Sequence, residues 1–228
     1  MSMAVAFALD WTAGKLPNST IDLALNALIE KGIKPNYNDK GNTGWISGHN
    51  NWNQVCNGGM IAASIAIAEK DPEFSAKTST LPPQPINIAF SQYSPDGVYP
   101  EGSTYWGYGT SFSVVTSSML ESAFGTDFGI ADYPAFKESA VFRSLMNTPS
   151  GWYYNFADCG DKRSGNGDII LAWFAAKTGN KVFFEKERFL QSAEDMRKLS
   201  RVAGAGLVWL SQFEEKGEVK MPIAWKGE

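Results

Sequence analysis

The chain is 228 residues long, with 20 Lys and Arg against 24 Asp and Glu and a formal charge of -4; that leaves room for one sizeable core or for most of a larger helical domain. Lys and Arg are scattered and form no basic tract, so the electrostatic footprint of a nucleic-acid binder is missing, although a cleft can still hold local positive charge for an acidic glycan. The longest strongly apolar segment, Met60 to Ala68, is too short to cross a bilayer, and the two cysteines, Cys56 and Cys159, can build neither a disulfide framework nor a zinc site of the usual kind.

The apolar opening MSMAVAFAL lacks a charged leading region and runs straight into Asp10 and Trp11, so it reads as a helix over roughly residues 2–14 and not as a signal peptide. Pro17, Asn18 and Ser19 supply a stop and a cap, and Ile21, Leu25, Leu28 and Ile29 recur at amphipathic spacing up to Gly32. Residues 33–53 read as a long loop. From Gln54 to about Lys70 the sequence is apolar on every face and rich in Gly, Ala and Ser, which predicts a buried inner helix. Pro72, Pro82, Pro83 and Pro85 punctuate the next connection, and residues 86–93 read as another helix. Tyr93 to Tyr108 is a second long loop, marked by Pro95, Gly97, Pro100, Gly102 and Gly107. Helices are predicted over about 110–124, 134–147, 167–178 and 189–211, and the sole strand candidate is Lys181 to Phe184. The expected class is all-α, built of helical hairpins, and alternating exposed and buried helices are the architecture of an α/α toroid. The closing VKMPIAWKGE reads as extended and stops abruptly, which predicts that residues 1–228 are an incomplete toroid domain from a longer protein.

Aromatic residues make up 13% of the chain, with 8 Trp, and many sit among Gly, Asn, Ser and Tyr, a mixture that suits a sugar-binding surface as well as a core. The first loop ends GHNNWNQVCNGG, which places His49, Asn50, Asn51, Trp52 and Asn53 at a helix start, where backbone N–H groups and the dipole favour an anion. The second loop is YSPDGVYPEGSTYWGYG and concentrates Tyr93, Tyr99, Tyr105, Trp106 and Tyr108 with Asp96 and Glu101. Together, NNWNQVCNGGM and YSPDGVYPEGSTYWGYG resemble the paired signature of the heparinase II/III-like polysaccharide lyases. LESAFGTDFG at 120–129 and YNFADC at 154–159 fit the same pattern. The resemblance covers most of the chain; its two main motifs are specific together and weak apart.

The resemblance implies a helical toroid followed by a β-sandwich-rich domain, with a cleft between them, in a protein that is periplasmic or secreted. The implied reaction removes the C5 proton of a uronic acid and expels the 4-O-linked sugar. That proton is a weak acid beside a carboxylate, so the enzyme must neutralise the carboxylate, stabilise enolate-like charge and hold an acid and a base close by. Family members use an Asn or His of the first loop and a Tyr of the second. By that resemblance Asn51 neutralises the carboxylate and Tyr105 is the acid/base catalyst, with Tyr108 its competitor because some relatives space the Glu and Tyr further apart. Asn53 is a helper, His49, Trp52, Glu101, Trp106 and Tyr108 line the substrate, and the partner is an acidic polysaccharide or oligosaccharide. No cofactor or metal is expected: no Gly-rich phosphate loop follows a strand, and no HExxH or clustered Cys/His site occurs. Such lyases commonly take a second basic residue, a His, from the β-rich domain; no His follows His49 here, so the isolated chain is expected to have little activity.

Each of these residues has a plainer role open to it. Asn51 and Asn53 precede a helix and can cap it. Trp52 and Trp106 serve equally as sugar-stacking platforms or as wedges between helices, and His49 as an ordinary loop residue. Asp96 and Glu101 offer the two carboxylates of a glycoside hydrolase, but Asp96-Gly97 is also turn chemistry. A non-catalytic glycan-binding helical domain is the third reading.

Overall fold

The computed structural model describes residues 1–38, 43–79, 88–146, 148, 150–162, 169–183, 202–216 and 224–226. They are mostly helical and include no strand; a single isolated antiparallel bridge joins Trp152 and Lys162. The helices are α1 (Ser2–Trp11), α2 (Asn18–Ala27), α3 (Lys34–Asn38), α4 (Asn51–Ala66), α5 (Pro72–Ser79), α6 (Gly102–Phe124), α7 (Pro134–Leu145), α8 (Leu171–Thr178) and α9 (Ala203–Ser211). Short 3₁₀ turns lie at Gly44–Ile46, Ala89–Tyr93, Ile130–Asp132 and Lys181–Phe183. No described helix is long and apolar enough to cross a membrane.

The chain divides into two compact units, one of Met1–Ala89 with Thr116–Phe128 and the other of Phe90–Val115 with Gly129–Glu228. In the first, α1 and α5 both pack on α4, as its small residues permit. Leu28, Ile33, Met60, Ala63 and Ile67 form the buried cluster there, with Val5, Leu9, Leu25, Trp45 and Phe74 packed around it. Between α4 and α5 runs a chain of buried hydroxyls. Ser64 Oγ and Thr78 Oγ1 are 2.7 Å apart, and Ser75 Oγ donates to the Ser64 carbonyl at 2.7 Å. Each polar group so buried is satisfied, which is the condition for tolerating it.

The first departure from the sequence expectation is at Gly32. No helix end occurs there: α2 runs through a π-helical turn, Leu28–Ile33, directly into α3. A Cβ on Gly32 would lie 2.9 Å from Ser2 Oγ on α1, a contact that rotation of the Ser2 side chain relieves. The wider turn precedes Pro35, whose missing N–H cannot close an ordinary α turn. Fully buried Ile33, the Lys34–Glu30 ion pair at 2.5 Å and the Asn36 Nδ2 donation to the Gly32 carbonyl at 2.7 Å hold the continuation. Part of the expected 33–53 loop is therefore helical. At the other end of this unit, α1 stops at Trp11, short of the expected residue 14.

The second unit has an aromatic core. Phe90 stacks on Phe136 with centroids 4.5 Å apart, Tyr93 meets Phe136 edge-on at 5.2 Å, and Phe174 lies 5.5 Å from Phe136. Phe136, on α7, is fully buried at the centre of these contacts. Helix α8 packs against α7 and α9, and Gly206 on α9 leaves room for Ile169, whose Cδ1 would lie 2.5 Å from a Cβ there. The expected strand at Lys181 to Phe184 is instead a 3₁₀ turn over Lys181–Phe183. Gly179 ends α8 in a left-handed conformation, and Asn180 Oδ1 then accepts from Val182 N at 3.0 Å, so the local hydrogen bonds close a turn. Of the predicted 86–93 and 189–211 helices, residues 89–93 form a 3₁₀ turn and 203–211 form α9; residues 86–87 and 189–201 lie outside the described residues.

Phe136→Ala is expected to lower the unfolding free energy by about 3–5 kcal/mol, the range for a buried aromatic emptied to Ala. Urea denaturation followed by circular dichroism reads this out; a loss under about 1 kcal/mol would mean that Phe136 is not the centre of this core.

Candidate active site

The first motif opens α4. Asn50, and neither Asn51 nor Asn53, is the cap: its backbone is extended and its Oδ1 accepts from Trp52 N at 3.1 Å. Capping at position 50 starts the helix three residues before the expected Gln54 and places Asn51 at its first turn, only 3% exposed. Asn53 is fully buried, and its Nδ2 donates to the carbonyls of Ile46 at 2.8 Å and Trp45 at 3.2 Å. That amide ties the preceding 3₁₀ turn to the helix, so its donors are already engaged. His49 and Trp52 face outward, Trp52 at 64% exposure.

The second motif is more helical than the sequence predicts. Helix α6 begins at Gly102, which puts Tyr105, Trp106 and Tyr108 on its first two turns instead of in a loop. Gly107 and Gly109 are buried within the helix along with Ser103, Thr110 and Ser113, so these small residues mark close packing where a breaker was expected. Tyr105 and Tyr108 are three residues apart and share a face. Both are partly exposed, and Tyr108 meets Phe112 edge-on at 5.7 Å. Glu101 is partly buried just before the helix, one turn from Tyr105.

Trp106 takes the wedge role and not the platform role. It is fully buried, its Nε1 donates to Ser139 Oγ at 2.9 Å, and its ring stacks on Phe174 at 6.0 Å. No face of it is left for a sugar. Asp96 sits in a turn and its Oδ2 accepts from the Lys226 backbone N–H.

Sequence reasoning gave no role to Arg143, because it looked like one of many scattered basic residues. It lies on α7 at 1% exposure, with its guanidinium 4.7 Å from the centre of the Tyr153 ring and 5.9 Å from that of Trp106. Its Nη1 donates to the Ser103 carbonyl at 3.1 Å, in the first turn of α6. A buried cation is thus fixed under the helix start that carries Tyr105.

The YNFADC segment is brought onto that same helix start. Gly102 has φ +73, and a Cβ on it would lie 2.6 Å from Cys159 Cβ and 3.0 Å from its Sγ. Two residues along, Thr104 Oγ1 accepts from Gly160 N at 3.0 Å and lies 3.4 Å from Cys159 Sγ. Two of the resembling segments therefore meet within the second unit. Both thiols are free: Cys159 is buried in this contact and Cys56 is partly buried on α4. Burial pushes the Cys56 thiol above its ordinary value, opposed in part by the positive amino terminus. Among the described residues no three His, Cys, Asp or Glu side chains gather in a way that could hold a metal ion.

No protein-family model matches the chain, and no curated protein is similar enough to count as a relative.

Gly102→Ala must adopt a left-handed backbone and displace Cys159, so it should destabilise the fold by more than about 1 kcal/mol in urea denaturation; a neutral effect would show that the 156–160 turn is not seated as described. A raised folded-state thiol pKa contributes stability below the unfolded value that is lost as pH rises through the folded one. Cys56 should accordingly react with iodoacetamide more slowly in the folded chain than in urea at mildly alkaline pH, read peptide by peptide in a mass spectrometer; equal rates would contradict the burial.

Proposed function

We infer that the chain is the helical part of a polysaccharide lyase that cleaves uronate-containing glycans by β-elimination. The observation that carries this reading is Tyr105, partly exposed on the first turn of α6. A phenol free to exchange its proton with substrate is what both halves of an elimination require, first at C5 and then at the departing oxygen. The buried Arg143 holds the same helical turn from beneath through the Ser103 carbonyl. Asn51 is assigned to the uronate carboxylate. At 3% exposure it lies almost wholly beneath the surface, and this assignment rests on the resemblance. Tyr108, one turn beyond Tyr105, is the alternative proton carrier. His49 and Trp52 are the outward-facing residues of the first motif and are assigned to substrate contact. The toroid arrangement, the β-rich partner domain of the same protein and the periplasmic or secreted location belong to the same proposal and rest on the resemblance.

Hydrolysis by Asp96 and Glu101 is less well supported, because the Asp96 carboxylate is held by the Lys226 backbone N–H. The two reactions differ in their products. Elimination leaves an unsaturated uronyl end with an ultraviolet absorbance band, and hydrolysis leaves a saturated one. The protein encoded by the full reading frame, incubated with alginate, heparosan and hyaluronan, is expected to produce that band. Tyr105→Phe is expected to reduce the rate by about 10²–10⁴-fold, the size of a general acid/base contribution, with the fold retained. New reducing ends without the band would replace elimination by hydrolysis, and an undiminished rate in Tyr105→Phe would move the role to Tyr108.

A further inference from the structure

Helix α6 opens under restraint from several parts of the second unit. Gly102 packs against Cys159, and the Thr104 hydroxyl accepts from Gly160 N at 3.0 Å. The Ser103 carbonyl accepts from Arg143 Nη1 at 3.1 Å, and the Trp106 indole donates to Ser139 Oγ at 2.9 Å. Tyr105 stands among these four residues, partly exposed.

Arg143 engages two of the positions at once. Its Nη1 reaches the Ser103 carbonyl, while its guanidinium lies 5.9 Å from the Trp106 ring centre and 4.7 Å from that of Tyr153. The residue is 1% exposed. Ser103 and Trp106 are three residues apart and so share a face of α6. At about 100° of rotation per residue, Tyr105 lies roughly 130° around the axis from the middle of that face. Arg143 therefore grips the buried side of the turn, and Tyr105 leaves it from another.

A guanidinium suits this double task, because it donates within its own plane and offers its flat faces to aromatic rings. Burying a charge is costly, and an apolar side chain of similar volume fills such a place as well or better. Packing alone does not call for arginine at 143.

We propose that Arg143 is a positioning residue for Tyr105: through the Ser103 carbonyl and the Trp106 ring it fixes the first turn of α6, and so the place from which the phenol meets substrate. This rests on the lyase reading for the reaction that the tyrosine serves, whereas the anchoring of the turn stands apart from it. Misplacing a reacting group by about 1 Å costs on the order of 10²-fold in rate, so a loosened turn is felt in turnover before it is felt in binding.

The test uses the protein encoded by the full reading frame and its Arg143→Met variant, which keeps the apolar stem and removes the donors. Rates are read from the ultraviolet band on heparosan, hyaluronan and alginate. Arg143→Met is expected to lower kcat by about 10–10²-fold and to leave KM within about twofold. In a Tyr105→Phe background the same substitution should cost almost nothing further, because a residue that acts through Tyr105 has nothing left to position. Hydrogen exchange read by mass spectrometry should be at least about tenfold faster in the peptide over residues 102–110 and unchanged in that over α4, with circular dichroism confirming the fold. If the methionine variant does not fold, Arg143→Lys, which retains the charge and a donor, is read in its place, with smaller changes expected in the same quantities.

Unchanged kcat in the folded variant overturns the proposal and leaves the lyase reading standing. So does a loss that multiplies fully with that of Tyr105→Phe, and so does a rise in KM at constant kcat, which would make Arg143 a binding residue. A parent protein that gives no unsaturated product removes the lyase reading. Faster exchange confined to residues 102–110 then still supports the anchoring, and equal exchange overturns it.

Discussion

The missing side chain of Gly102 is the constraint on which the candidate site depends. Its left-handed backbone turns the chain into α6, and the space where a Cβ would stand is filled by Cys159. Thr104 completes the contact by accepting from Gly160 N, and Arg143 reaches the Ser103 carbonyl from the opposite element. Three stretches far apart in sequence converge on one helical turn. Tyr105 follows directly in the chain, so its placement is set by these contacts and not by the intrinsic helix preference of a Gly- and aromatic-rich sequence, which is poor. The proposed acid/base chemistry is therefore a consequence of packing at a position that itself carries no functional group.

A related logic governs the first motif. Asn50, Asn51 and Asn53 are the same residue type within four positions, yet the fold gives them different work. Asn50 caps, Asn53 fastens the Trp45–Ile46 carbonyls to the helix, and Asn51 lies between them at the helix start. An amide is well matched to this, because it can donate and accept without bringing a charge that would have to be neutralised on burial.

How far the sequence could be read follows from which signals are local. The helical class was legible because apolar spacing is a local signal, and α2, α4 and α7 lie close to where periodicity places them. The errors fall where a residue has both a local and a tertiary meaning. Gly32 and Gly107 look like terminators in the sequence but lie within continuous helical segments of the fold, Gly107 buried there. Trp106 looks like a sugar platform among loop residues, but the longer α6 turns it inward onto Ser139 and Phe174. Arg143 was invisible, since only its burial against Tyr153 and Trp106 separates it from other basic residues.

The division of α6 between the two compact units has a consequence for how the chain holds together. Residues 102–115 belong to one unit and 116–124 to the other, and the first unit is assembled from two separate stretches of sequence. Neither unit can be excised as a contiguous peptide without leaving part of itself behind. A single scission in the middle of this helix would deprive both halves at once.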